Sequence, residues 1–475
     1  MKKRLKQTVL VISFILLAVF AVTALYRIVR WKDTTGDYIS SIDQLKNTPK
    51  DTIDAVFVGS SHVYCGVNPA ILWEDYGYSA FDMAVSGQSK EVAYHGLVEL
   101  VKTQSPKVVF VDLYALTYEG AGDIEGNVHR NLLCLPTSPN SVGLLTDYLG
   151  TEDEESRKKL GDYFFRWPIV HTRYRELQKW DYIEYPANEF LRGEAMTTRT
   201  VAVDLSTIGT NPVQPAELSE DNLEWLNSLK ELSEKENFRL CLFLAPCSLS
   251  DECQAMVDGA ELYADENGIT FMDLSRNKDV LALNGETDFV DNAHLNINGS
   301  EKLTKYLGSW LSENEALCDH RSQSGYELWE KDLEYYHKTL VLYEMEKAEN
   351  LQEYLGLLSG EEGYTAIICK EFAYDELQSE YADAMTVLGV SKEEFAEGGV
   401  WVYKDKGTEK IAGLDLNRTI VYPVNSRDNL IFHYTGDYQP ENLLIGNEDY
   451  SNAGFYMTVT VYDNEMKSVV SRRGF

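Results

Sequence analysis

Asp54-Ala55-Val56-Phe57-Val58-Gly59-Ser60-Ser61 decides the reading of this chain, because an unbroken apolar run ends there in Gly-Ser-Ser. An apolar run without polar alternation suits a strand buried on both faces, and a Gly-Ser turn after it marks the passage into a helix. Four more such runs follow, Ala80 to Met83, Val108 to Leu113, Arg239 to Ala245 and Ile269 to Leu274. Between them Val92, Leu97, Leu100 and Val101, and then Leu223, Leu226, Leu229 and Leu232, recur at helical spacing. Leu303, Tyr306, Leu307, Trp310 and Leu311 form the stripe of a further helix near 300–312. Strands alternating with helices predict an α/β domain of three layers, with a parallel five-stranded sheet between helices.

In such a sheet Ser61 stands at the carboxyl end of the first strand, the edge where ligands bind. A serine there also suits a helix N-cap. Its distant counterpart is Asp291-Asn-Ala-His294, just before the final helix. A serine hydroxyl becomes a nucleophile when an imidazole takes its proton, and a carboxylate holds that imidazole best. Ser61, His294 and Asp291 are therefore the expected nucleophile, base and orienting acid. Asp288 is the reserve carboxylate, though its six-residue offset from His294 fits less well. His62 adjoins the serine and is not taken as the base. The helix after Ser61 would offer its first amides to an oxyanion.

The N-terminus says where this chemistry would act. From Gln7 to Tyr26 twenty residues pass without a charge, which at about 1.5 Å each matches a hydrocarbon core of roughly 30 Å. Lys2, Lys3, Arg4 and Lys6 outweigh Arg27, Arg30 and Lys32, so the positive-inside bias puts the N-terminus in the cytoplasm and the body outside. A signal peptide cleaved near Val22-Thr-Ala24 is the alternative. A net charge of -33 excludes the basic face that nucleic acid or an anionic membrane surface demands. The cysteines, Cys65, Cys134, Cys241, Cys247, Cys253, Cys318 and Cys369, are odd in number and form no CxxC pair, so no zinc site or disulfide framework is announced. Cys247 and Cys253 flank a loop and are the one pair that could bridge. No metal or cofactor is implied.

The 475 residues suggest more than one domain. The expected division is a cytoplasmic stub and anchor at 1–32, the α/β domain at 33–316 and a further region at 317–475. A stretch of about 123–206, rich in aromatics and charge, interrupts the sheet and should be a largely helical insertion, since a structureless loop of that length is improbable. Lying near the ligand rim, it could place Trp167 or His171 against substrate, or simply pack onto the sheet. Beyond it, Trp329, Leu333, Tyr336, Leu340, Tyr343 and Leu351 predict one long amphipathic helix from Tyr326 to Leu355. Strand-like runs at Tyr364 to Cys369, Val400 to Tyr403, Thr419 to Val424, Asn429 to Tyr434, Phe455 to Tyr462 and Lys467 to Val470 then predict a separate α+β domain.

Gly59-Ser60-Ser61 together with Asp291-x-x-His294-Leu-Asn-x-x-Gly299 resembles the SGNH, or GDSL-type, hydrolase superfamily. The resemblance covers about 54–312 and implies a flavodoxin-like fold with Ser61 as nucleophile, Ser60 standing where the family has Asp. It also implies that the glycine of the second block is Gly87, whose amide would join that of Ser61 in the oxyanion hole. The third block of typical members supplies an asparagine amide, whereas the third strand here runs into Asp112-Leu-Tyr-Ala-Leu116, leaving Tyr114 as a candidate donor. The chain looks more like the membrane-tethered branches, such as the alginate O-acetylation proteins and the teichoic-acid D-alanylation protein, than like a secreted lipase. The ending Gly454-Phe-Tyr-Met-Thr-Val-Thr-Val-Tyr-Asp-Asn464 faintly resembles the interleukin-like EMT-inducer domain, which is suspected of glycan binding. The resulting expectation is an extracytoplasmic serine esterase or O-acyltransferase acting on acetyl groups of a cell-surface glycan. The alternative is a non-catalytic glycan-binding or envelope-assembly protein of the same fold. The residues leave the acyl group, the polymer and the oligomeric state open.

Overall fold

In the computed structural model each of the five apolar runs is a strand. The structure describes residues 2–30, 40–118, 135, 138–149, 158, 161–162, 170–182, 190–209, 214–370, 378–413, 418–425, 428–434, 442–446, 448–450 and 455–475. They divide into two units, 1–334 and 335–475. Helix α1 (Lys2–Val29) opens the chain, and its stretch Lys6–Val29 is long and apolar enough to cross a membrane. Phe14, Leu17 and Phe20 are exposed along it. Its length and composition suit a membrane anchor or a signal sequence.

After α2 (Ser40–Asn47) the chain forms β1 (Ala55–Gly59), α3 (Ser61–Tyr64), α4 (Pro69–Tyr76), β2 (Ala80–Ala84), α5 (Lys90–Leu100) and β3 (Val108–Asp112). Later come α6 (Pro139–Leu149), α7 (Lys179–Tyr182), α8 (Glu220–Glu236), β4 (Arg239–Leu244), α9 (Asp251–Asn267), β5 (Thr270–Asp273) and α10 (Ile297–Asn314). The sheet order is β2-β1-β3-β4-β5, parallel throughout, as the α/β reading requires. Alternation sends Val56, Val58, Val109, Val111, Leu242 and Leu244 into one core, shared with α5, α8 and α9. Phe57, Phe110 and Phe243 enter the other, shared with Leu303, Leu307 and Leu311 of α10. From β1 the chain winds to β2 on one side, then returns to β3 on the other. The neighbouring carboxyl ends of β1 and β3 are thus the switch point where an open sheet leaves a crevice.

Much of the expected insertion, about 123–206, lies outside the described residues. Its described residues include α6, α7 and a turn at His171–Arg175, but from Glu194 to Val203 the chain is an extended strap. Leu191 and Arg192 enter the strap with φ of 66° and 42°, a left-handed pair that costs on the order of 1–3 kcal/mol per residue and needs firm support. Arg192 finds it in Asp332, whose carboxylate accepts from Nε at 2.7 Å and Nη2 at 3.2 Å, with both residues buried.

The expected single helix from Tyr326 to Leu355 is two, α11 (Glu327–Lys347) and α12 (Leu351–Gly360). Asn350 breaks it, with extended backbone and a side chain that accepts from the Glu353 amide at 2.9 Å. The Glu353 carboxylate in turn accepts from the Glu349 amide, so Asn-x-x-Glu works as a reciprocal cap. In the second unit β6 (Tyr364–Lys370), α13 (Gln378–Met385), α14 (Lys392–Ala396), β7 (Gly399–Lys404) and β8 (Gly407–Ala412) precede β9 (Arg418–Pro423) and β10 (Asn429–Tyr434). β11 (Asn442–Ile445), β12 (Glu448–Asp449), β13 (Met457–Asp463) and β14 (Ser468–Gly474) complete it. One antiparallel sheet has the order β14-β13-β6-β7-β8 and the other β12-β11-β10-β9. Ile368, Trp401 and Val461 of the larger sheet pack on α12 and α13, while Ile367, Val402 and Tyr462 pack on Leu430 and Leu443 of the smaller.

Candidate active site

Ser61 begins α3 directly after β1, and the crowding there explains Gly59. A Cβ on Gly59 would lie 2.5 Å from Val63 Cγ2 and 2.7 Å from Asp112 Cβ, so only glycine lets the strand turn so close to β3. Ser61 Oγ lies 2.7 Å from His294 Nε2, and His294 Nδ1 lies 2.9 and 3.0 Å from the two oxygens of Asp291. With Nδ1–H donating to the carboxylate, Nε2 is the acceptor for the serine hydroxyl. Asp291 also accepts from the amides of Ala293 and His294 at 2.8 and 2.9 Å. Burial works to raise its carboxyl, but the Ala293 amide and His294 outweigh that and hold it below the usual range. Ser61 thus meets His294, 233 positions further along the chain, and through it Asp291, at hydrogen-bond distance.

The loop that carries the pair is closed by Phe289 bridging to Leu295 and by the Val290 amide on the His294 carbonyl. Asp288, the reserve carboxylate, is occupied at the loop's base. It accepts from the Asn284 amide, the Thr287 hydroxyl and Lys302 Nζ, each within 2.7 Å. Gly299 must lack a side chain, since a Cβ would stand 2.4 Å from the Asp288 carbonyl. Asn296 caps α10 with its oxygen and, with its amide, donates to the carbonyls of Thr287 and Arg199. The strap is tied to the same loop. Ala195 donates to the Tyr64 carbonyl of α3, Ile297 to Thr197, and Val201 to Phe289. It therefore bridges α3, which carries Ser61, and the Asp-His loop. Asn296 and the strap went unmarked in the sequence, although Asn296 stands in the quoted motif.

Gly87 lies in a left-handed turn after β2 (φ 62°), beside the nucleophile turn through the Val85 amide on the Gly59 carbonyl. Tyr114 is half-buried with its ring centroid 4.0 Å from that of His62, and the Thr117 hydroxyl donates to its backbone carbonyl at 2.8 Å. His171 is exposed in its turn, where the neighbouring Arg173 donates to the Val29 carbonyl at the end of α1. Trp167 lies outside the described residues. Cys247 is buried and unoxidised, as is the half-buried Cys253. Among the described residues no cluster of metal-ligating side chains occurs.

Asp112 ends β3 fully buried, with Oδ2 unpartnered and Oδ1 accepting from the Ala245 amide at a long 3.4 Å. Burial, only partly offset by the Ala245 and Tyr114 amides, pushes its carboxyl up to about 7. The unfolded chain would ionise this group near its ordinary value while the fold keeps it protonated, so stability present at acid pH is lost as pH rises through about 7. The full difference is on the order of 4 kcal/mol. Asp112→Asn should therefore melt at a higher temperature than the parent at pH 8, with the two converging near pH 4. Parallel melting curves at all pH values would contradict this.

No protein-family model matches the chain, and no curated protein matches it. Among solved structures the chain is similar to one described as a "putative acylhydrolase" from Bacteroides fragilis, at 12% identity and a TM-score of 0.29, covering 60% of this chain and 99% of that one. A likeness of that size carries no argument, and the site's chemistry rests on its own geometry.

Proposed function

We propose that this chain is an SGNH-type serine esterase or O-acyltransferase that cleaves or transfers ester-linked acyl groups, acetyl foremost, on a cell-surface polysaccharide. The observation that carries the reading is the Ser61–His294–Asp291 relay at 2.7 and 2.9 Å. Ser61 Oγ attacks the ester carbonyl carbon as its proton passes to His294 Nε2. The C–O bond to the sugar breaks, and His294 returns that proton to the leaving oxygen. Water or another sugar hydroxyl then gives its proton to His294 and attacks the acyl carbonyl, the bond to Ser61 Oγ breaks, and Ser61 takes the proton back from His294. The Ser61 amide, in the first turn of α3, has no intrahelical acceptor and is offered to the oxyanion together with Gly87. Tyr114 remains the candidate third donor. The side chains of Asp291 and His294 are 55% and 25% exposed, an openness that suits an ester carried on a polymer. The apolar α1 and its flanking charges support a cytoplasmic N-terminus and an extracytoplasmic body.

A second reading, a glycan-binding protein of the same fold without turnover, draws on Asp112, which is buried where an oxyanion amide would be expected. A fluorophosphonate probe separates the two. With the full chain in detergent, mass spectrometry should find the phosphonyl group on Ser61 and none in Ser61→Ala. Absence of labelling in the parent would sink the enzyme reading.

A further inference from the structure

His62 follows the nucleophile directly, yet its side chain is buried and takes no proton from it. Its ring lies between two others, Tyr114 at 4.0 Å and His294 at 4.9 Å between centroids, and it is within 22° of parallel to His294. Nδ1 stands 3.1 Å from Ser60 Oγ, while Nε2 is buried and makes no hydrogen bond. The ring thus ties Ser60, the residue before Ser61, to the ring of His294. Resting on the esterase reading above, we infer that His62 is a positioning residue, a neutral aromatic plate that fixes the plane of His294 and supports it when it becomes imidazolium.

Two physical arguments carry this. A histidine's χ2 is broad, and once Ser61 is acylated and its hydroxyl bond to Nε2 is lost, the Asp291 bond alone holds the His294 ring, leaving rotation about that bond. A flat neighbour removes it, which is preorganisation supplied in advance of reaction. Second, proton transfer from Ser61 turns His294 into a cation, and an aromatic face attracts a cation more than a neutral ring. The support therefore grows toward the transition state, where it lowers the barrier. For this His62 must not carry charge itself. Burial first, and His294 second, push its imidazole down to about 3. The other groups facing it are Asp291, beyond His294, and the neutral Tyr114 and Ser60.

The test compares His62→Phe, which keeps a flat ring, with His62→Leu, which fills space without one, in the full chain on an aryl acetate. His62→Phe should stay within about threefold of the parent in kcat, and His62→Leu should lose about tenfold to thirtyfold, with KM unchanged because His62 is buried. Equal turnover of His62→Leu and the parent would overturn the inference. If either variant folds poorly, histidine-labelled NMR decides: the ring-current shift of His294 Cε1–H should relax in His62→Leu, and an unmoved resonance overturns the stack. Failure of the parent to label at Ser61 would instead overturn the esterase reading, leaving the NMR result to judge the stack.

Discussion

Ser61→Ala and His294→Ala should each slow turnover of an acetyl ester about a million-fold, and the double substitution should be no slower than either alone. The reason is that one proton serves both residues. At 2.7 Å the serine hydroxyl and Nε2 share a single hydrogen bond, so removing either end leaves an alcohol without a base or a base without an alcohol. Members of such a unit are grossly non-additive, each single loss costing about as much as all together. What remains is the binding and oxyanion contribution of roughly a thousandfold or more over water. The check is kcat for the two singles and the double, measured on purified full-length chain. Losses that multiply would show that Ser61 and His294 act independently.

Asp291→Asn should cost about ten-thousandfold in kcat while leaving the fold nearly unchanged. Asparagine keeps an oxygen to accept from the Ala293 and His294 amides, which hold the loop at 2.8 and 2.9 Å. Toward the ring it offers an N–H as well, which forces the imidazole into the tautomer that donates from Nε2 and cannot take the serine's proton. Loss of the correct tautomer is worth about four decades in this chemistry. Asp288→Asn is the control. Its carboxylate binds Lys302 and loop donors rather than His294, so the variant should lose stability and keep most of its kcat. If the two variants exchanged these behaviours, the assignment of Asp291 would fall.

Strands buried on both faces write themselves as plain apolar runs, so β1 to β5 could be read to within a residue or two. The meeting of Ser61 with Asp291 and His294 was foreseeable for a related reason, since the acyl-transfer chemistry proposed for them tolerates few residue types. The supporting parts were less visible. The strap from Glu194 to Val203 works through backbone amides, which leave no mark on side-chain pattern. β8, β11 and β12 are short and polar or isolated, and their pairing depends on partners distant in sequence. The break at Asn350 was readable, because Asn-x-x-Glu is a capping signature, but apolar residues continuing at helical spacing on both sides masked it. His62 was seen as a neighbour. Its place between two rings comes from tertiary packing alone.

The separation of 233 positions between Ser61 and His294 also orders events in time. A nascent chain presents its serine first and its imidazole last, with the strap that joins their two segments emerging in between. Until the loop at 285–297 has been made and has docked, Ser61 is an ordinary alcohol with no base in reach. On the proposed function, chains released early, or caught half-folded, would carry Ser61 without its reactivity, and completion of the domain would be the step that arms it.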